Sequence, residues 1–454
     1  MCSSVGTWGG MSWSDITQGG PSDSPPATVG TLVVGVGPAA LSVLRAAAGH
    51  QGPELQPVCI VAGAPMDVLG AGRLAEYTVA SDTPGAVFVE VAGISETALA
   101  AHIRPTGRRL LAACSTTDTV PLRLAAELLA LSANQFVDCV PPAQVRVVAP
   151  AIVTEICQTA AGFRARVETA SGSFELQARD VVLAVGGRPW IPPSLADVVG
   201  SGRDLVHSDA LLRGRPLPTA NPTEARQVAI VGGAHSAFAS AISLLANDPE
   251  HRLRDGAIRV VHRAPIRMTY PDIAAAVADG AAINERDVCP RTKRVHRFGG
   301  LRGESARLWQ RARDGDERRV ELVHVHNLAT TAQLCRDADL IIAATGYVNA
   351  SIELVPELFD PREGRYDQDA KPRPRIDKVG QFIDRSGRLV DGLYCVGLGA
   401  GHRRVPQSGG EPSFTGSVDG VWFYQTIVAP AVVASILAAR AEDPRIASRI
   451  ETRL

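Results

Sequence analysis

Two strand–glycine turn–helix units, at 31–49 and 227–246, predict an α/β chain with two Rossmann-like dinucleotide-binding domains. Short alternating runs at 145–178, several of them separated by glycine-containing turns, predict a small antiparallel β-meander. Apolar strands that run into glycine at 180–186, 339–347 and 393–401 add further buried strands. The expected division is a disordered tail at 1–29, a discontinuous first domain at 30–223 and 346–445, and a second domain at 224–345.

The first unit reads TLVVGVGPAALSVLRAAAG. Thr31 to Val34 are apolar or β-branched and form a buried strand. Gly35 allows the tight turn, Gly37 lets the backbone approach a pyrophosphate, and Ala40 permits close helix–strand packing. The helix that opens at Pro38 offers free N–H groups from Ala39 onward, which suit an anion; Pro38 itself has none and starts the helix with its fixed φ. The second strand, 57–62, ends at Ala62, where an acid would hold ribose hydroxyls; the nearest following acid is Asp67. The irregular stretch 66–90 is a candidate active-site segment. The run 119–134 is an amphipathic helix with Pro121 near its first turn.

The second unit opens at Gln227. Gly232 and Gly233 give the turn its freedom, and Ala234 and Ala237 take the second and third motif positions. His235 and Ser236 lie at the helix start, placed to face a cofactor or solvent. The next strand, 257–261, is followed by His262, Arg263 and Arg267 instead of an acid. An arginine there suits the 2′-phosphate of NADPH. Two dinucleotide units imply two dinucleotides, and the economical chemistry is hydride transfer from NADPH in the second to a flavin, FAD, in the first.

Composition excludes several classes. The 454 residues allow two or three domains, and the net charge of −1 gives no pull toward nucleic acid or an anionic membrane. The 8 cysteines are scattered with no C-x-x-C pair, which argues against a disulfide scaffold, a zinc ribbon and a dithiol redox motif, and fits a reducing cytoplasm. The N-terminus lacks the pattern of a signal peptide. The apolar stretch 427–439 is read as too short to span a bilayer and as a buried helix with Pro430 near its first turn. His324 and His326 have no third ligand nearby, so no metal is expected. The stretch 284–319 carries 11 Lys/Arg against 6 Asp/Glu and lacks aromatic interleaving, so a solvated face is expected in place of a nucleic-acid groove. His402 and Arg403 follow the third glycine-ended strand, near the flavin or in an exposed loop.

The order of motifs resembles the class B flavin-dependent monooxygenases. The residues that carry this are Gly35-x-Gly37-Pro38, VVLAVGGRPWIPP at 181–193, LVHSDAL at 205–211, GGAHSA at 232–237 and the ATGY of 344–347. Within that class the chain is most like the lysine/ornithine N-hydroxylating branch: Ile283-Asn284-Glu285 followed by Pro290 is similar to that branch's substrate-holding segment.

The resemblance implies FAD in the first unit, with Thr345, Gly346, Tyr347 and Gly397 beside it or the nicotinamide, and NADPH in the second, with Asn284 toward substrate. It implies oxygen from O2 inserted into a nucleophilic nitrogen of an amino acid or small amine-bearing metabolite through a C4a-hydroperoxyflavin. The branch's basic substrate clamp is not recognisable at 82–89, and only His207 matches the F-x-G-x-x-x-H fingerprint of ketone oxygenation. An oxidoreductase that passes electrons to another acceptor, and a non-catalytic nucleotide-binding descendant, remain alternatives. The expected partners are a small-molecule substrate and O2, with no nucleic acid and no membrane; a homo-oligomer is allowed.

Overall fold

The computed structural model describes residues 27–48, 55, 57–92, 105–140, 144–199, 204–217, 227–248, 252–358 and 371–441. The tail expected at 1–29 lies outside these, except that the first strand starts at Ala27.

The first sheet is built on Ala27–Val34, whose alternate residues are buried on both faces. It pairs in parallel with Val58–Val61 on one side and Gly172–Leu183 on the other. Val145–Val148, expected as the first run of the meander, instead extends one edge in parallel beside Val58–Val61, and Leu389–Cys395 extends the other, followed by the antiparallel strand Gln381–Ile383. Ile152–Thr159, Gly162–Thr169 and the first half of Gly172–Leu183 form the antiparallel meander. One face of the sheet carries the helices Pro38–Ala48, Leu122–Cys139 and the C-terminal helix, with Leu41, Leu44, Leu128, Leu129, Val432 and Val433 interdigitated. The meander and Phe382 cover the other face.

The second sheet is all parallel, in the order Asp204–His207, Leu340–Ala343, Val228–Val231, Ile258–His262, Val320–His324. This shifts the boundary expected at residue 224: Asp204–His207 belongs to the first domain by sequence position but hydrogen-bonds to Leu340–Ala343. The two sheets are joined at a second antiparallel pair, Gly187–Pro189 with Tyr347–Asn349. Both of these chain crossings leave from glycine-ended strands.

Two further expectations change. The helix expected at 119–134 runs from Leu122 to Cys139: Thr119–Pro121 is a short strand, and Pro121, with an extended ψ of 132°, sits just before the first helical turn, near which it was expected. The C-terminal helix is longer than 427–439. It runs from Val421 to Ala441, with a π-helical turn at Tyr424–Val428 just before Pro430. Proline has no N–H to give and its ring crowds the preceding turn, and a widened turn is the usual accommodation. At 21 residues this helix is long and apolar enough to cross a membrane. Here it packs with Ala429, Val432, Val433 and Ile436 in the core against the first helix. Buried Arg440 near its end donates through Nε to Asp180 at 2.9 Å and through Nη2 to the Gly30 carbonyl at 2.7 Å, tying the last helix to the first strands.

Candidate functional site

Each glycine turn sits at the carboxyl ends of parallel strands, where open α/β sheets hold ligands. At Gly35, with φ at +139°, an added Cβ would stand 2.2 Å from the Ala184 carbonyl oxygen. At Gly232, with φ at +147°, it would stand 2.4 Å from the Ala344 oxygen. Only glycine fits either place.

The first turn opens into a cavity of about 540 Å³. Gly35, Gly37, Pro38, Ala39, Tyr347 and Gly397 line it, from the first unit, the chain crossing and the third glycine-ended strand. At Gly37 the place of a Cβ is free of atoms to 4 Å, so the backbone presents itself to the cavity. Gly72 packs over Gly37 from the other side, its own Cβ position 2.9 Å from the Gly37 Cα. A helix start, a bare glycine backbone and a largely apolar chamber are what a dinucleotide with a flat ring system needs, so the residues fit FAD.

Ala40 is fully buried against the sheet and does not reach the cavity. Asp67 is exposed, in the short 3-10 turn Met66–Val68, and is not among the cavity residues, which at this point are Gly63 and Ala64. The ribose-binding acid thus has no substitute at Asp67, because the chain turns outward after Ala62.

The cavity's polar end was only partly legible. Asp209, in the LVHSDAL segment, is buried and receives the Tyr77 hydroxyl at 2.6 Å and the Tyr347 hydroxyl at 3.1 Å on one oxygen. Its other oxygen takes the buried Arg213 guanidinium at 2.9 Å. Burial pushes both phenols up, with Asp209 adding to it, so they stay protonated donors. His207 is held as a neutral ring: burial lowers it, Nε2 donates to the Gly346 carbonyl at 2.9 Å and Nδ1 accepts the Asp209 N–H at 3.0 Å. Gly346 also receives the Trp190 N–H at 3.0 Å, and Thr345 donates its hydroxyl to the Trp190 carbonyl. The ATGY segment is therefore a joint between the two halves. Tyr77 comes from the irregular 66–90 stretch, where a tyrosine among small residues was the signal available.

Just before the C-terminal helix, Asp419 lines the same cavity and accepts the Gly399 N–H and the Tyr424 hydroxyl, each at 3.2 Å. Burial pushes Asp419 up, against hydrogen bonds and the nearby Arg373 and Lys371. His402 is neither exposed nor at the cavity. It is buried, donates to the Cys395 carbonyl at 3.1 Å and is lowered by burial to about 4.

In the second unit, Gly233 has a Cβ position 2.9 Å from the His262 Cβ, so strand and turn are in close contact there. His235 does not face open solvent. Its Nε2 accepts the Arg302 N–H at 3.1 Å and its Nδ1 lies 3.8 Å from Asp82 of the first half. Burial lowers His235; burial pushes Asp82 up, but His235 and Arg302 outweigh this and hold it low. The ring is a bridge between halves, because Arg302 and Asp82 flank it before a cofactor can. Ser236 is half-buried beside it and its hydroxyl has no partner among the described residues. Arg263 is exposed, and its guanidinium likewise has no partner among the described residues. His262, His324 and His326 stack in series, with centroids 5.2 and 4.5 Å apart. No group of three or more metal-ligating side chains occurs among the described residues.

Asn284 caps the turn Glu285–Asp287, its side-chain oxygen accepting the Arg286 N–H at 2.9 Å. It also lines a separate cavity of about 790 Å³. So it is a loop cap and a cavity residue at once.

Residues 143–267 match the L-lysine 6-monooxygenase/L-ornithine 5-monooxygenase family. Over 298 residues, 58% of its length, the chain is 33% identical to CMP-5′-(3-aminopropyl)phosphonate hydroxylase from Streptomyces rubellomurinus, and the match spans 64% of that relative. The chain resembles the N-hydroxylating branch of the class B flavin monooxygenases. Solved structures extend the likeness in fold to nearly the whole chain. The ornithine N-hydroxylase of Kutzneria sp. 744, held with reduced FAD, NADP⁺ and L-ornithine, superposes with a TM-score of 0.56 at 18% identity, covering 91% of this chain and all of that one. The ornithine hydroxylase of Pseudomonas aeruginosa gives 0.53 at 16% identity, covering 91% and 99%.

Proposed function

We propose that the chain is an NADPH- and FAD-dependent monooxygenase that hydroxylates the nitrogen of an amino acid or a small amine-bearing metabolite. The observation that carries this is the pairing of two glycine turns of one design with a flavin-sized cavity that no cysteine lines. The family match and the relative whose name is that of a hydroxylase of an aminopropylphosphonate support it. FAD would lie along Gly35, Gly37, Pro38 and Ala39, with Tyr347 and Gly397 at its far end. NADPH would use Gly232, Gly233, Ser236 and Arg263.

Bound flavin supplies O2 activation once NADPH has reduced it; overall, NADPH, a proton, O2 and R–NH2 give NADP⁺, water and R–NHOH. The chain's own part is to orient, to dry and to fix charge. Tyr77, Tyr347 and Arg213 hold Asp209 so that the joint between the halves keeps one geometry. The apolar walls at Val34, Val36, Val185 and Leu398 exclude water. An unperturbed lysine-like amine has a pKa near 10.4, so the substrate pocket must favour its neutral form.

The test is purified protein with FAD, NADPH, O2 and a panel of primary amines. One hydroxylamine per NADPH oxidised is expected with a preferred amine. NADPH oxidation that only reduces an added quinone or protein acceptor, with no oxygenated product from any amine, overturns the reading in favour of electron transfer.

A further inference from the structure

The cavity of about 790 Å³ beside Asn284 is not explained by either glycine turn. Its walls come from Pro265–Met268 after the third strand of the second sheet, from Asp279–Asp287, from the helix carrying Trp309 and Arg313, and from Ser413. Three guanidiniums face two carboxylates in it, and the carboxylates are already engaged. Asp279 accepts the Tyr270 hydroxyl at 2.7 Å and Arg313 at 3.1 Å. Asp287 accepts the Ser413 hydroxyl at 2.6 Å and the Asn284 N–H at 3.0 Å, with His296 at 3.4 Å. Among the described residues neither the Arg267 nor the Arg286 guanidinium makes a hydrogen bond or a close ion pair; Arg267 acts on Asp287 only through its charge, at longer range. Two unpartnered guanidiniums at a large concave site are suited to a doubly charged planar-edged oxyanion, which arginine grips through paired N–H groups. Trp309, with the Arg313 guanidinium 4.7 Å from its ring centre, adds a flat surface of the kind on which a base stacks.

The far wall says which nucleotide. Pro265–Met268 continues from the strand after the second glycine turn, so the adenosine end of NADPH is the rival occupant. But Ser413 belongs to the loop that leads to Asp419 and the flavin cavity, and its N–H donates to the Arg286 carbonyl at 2.8 Å. A molecule held here touches both halves, as a substrate must and an adenosine end need not. We propose that this cavity takes a nucleoside-phosphoryl group carried by the amine substrate, with Arg267 and Arg286 on the phosphoryl oxygens. This deepens the proposed amine oxygenation by naming the substrate class, an amine joined to a nucleotide, and it rests on that reading.

The experiment is calorimetric titration of the FAD-loaded full chain with CMP, with AMP and inorganic phosphate as comparisons, in saturating NADP⁺. CMP is expected to bind under these conditions. Arg286→Ala, at an exposed position that the fold does not need, is expected to weaken CMP about tenfold, the equivalent of losing one charge-assisted pair, with NADP⁺ affinity within about twofold. Arg267→Lys should weaken it less than Arg267→Ala, and Arg294→Ala, outside the cavity, should leave it unchanged. If NADP⁺ abolishes CMP binding, or if Arg286→Ala weakens NADP⁺ instead, the cavity is the cofactor's and the proposal falls. It also falls if CMP does not bind, or if phosphate-free amines are turned over by wild type with a KM that CMP does not raise; the last result leaves amine oxygenation standing. Arginine-dependent CMP binding without oxygenation of any amine would remove the proposed function and keep the nucleotide site.

Discussion

At Gly35 and at Gly232 the chain meets the same steric demand in the same way. Each glycine presses against the carbonyl of an alanine at the end of the neighbouring strand, Ala184 in one case and Ala344 in the other. Beyond that point the two turns diverge. The first is roofed by Gly72 and opens into a cavity built from widely separated parts of the chain. The second keeps an alanine at its second position, Ala234, which is exposed, as is Arg263. The difference teaches that one motif serves two occupancies: an enclosed turn suits a resident cofactor, and an open one suits a reductant that must enter and leave in each cycle.

The largest expected effect breaks the comparison directly. Gly35→Ala should cost the protein its bound flavin, about a hundredfold or more in affinity, because neither the clash nor the positive φ can relax; absorbance of the purified protein reads this. Gly232→Ala should leave the flavin in place and raise the KM for NADPH by a similar factor. If both variants lose flavin equally, the two turns are one folding unit and the contrast fails.

His402 sharpens the comparison from the stability side. It is buried beside the end of the strand Leu389–Cys395 and its folded value is about 4, below the 6.5 it has when unfolded. The unfolded chain therefore binds the extra proton, and stability is lost as pH falls from about 6.5 to 4, by about 3 kcal/mol at the lower end. Urea unfolding across that range should show it, and His402→Asn should flatten that part of the profile. An unchanged profile in the variant would mean the ring is not what acid attacks.

Smaller effects separate the cofactors. Asp209→Asn should leave flavin bound but loosen the Tyr77–Tyr347 joint, lowering kcat about tenfold with the KM for NADPH little changed. Arg263→Ala should raise the KM for NADPH several-fold and leave NADH unaffected, since only the former carries the 2′-phosphate. Ala234→Gly should improve NADPH use no more than about twofold, because Ala234 is already exposed and free of crowding.

Much of the fold was readable because local rules were enough. A buried parallel strand is apolar throughout, and the turn after it needs glycine, so both dinucleotide units announced themselves; the meander did so from Ile152 onward, while Val145–Val148 went to the parallel sheet. The pairing of Asp204–His207 with the second sheet did not, since four residues of mixed character carry no record of their neighbour. His235 read as a cofactor-facing residue because it sits at a helix start; Arg302 and Asp82, distant in sequence, take both its nitrogens. Asp67 read as a ribose acid only because it was next in line after Ala62. Tyr77 and Asp209, 132 positions apart, could be joined only by folding.

The sequence by itself determined the two glycine turns, the absence of a dithiol and the resemblance to amine-hydroxylating flavoproteins, all of which rest on residues close together in the chain. Tertiary structure alone decided which polar groups stay neutral, which arginines are left without partners and where a second cavity opens. Charge and solvation depend on what surrounds a group in space, and those surroundings come from segments that the sequence keeps hundreds of residues apart.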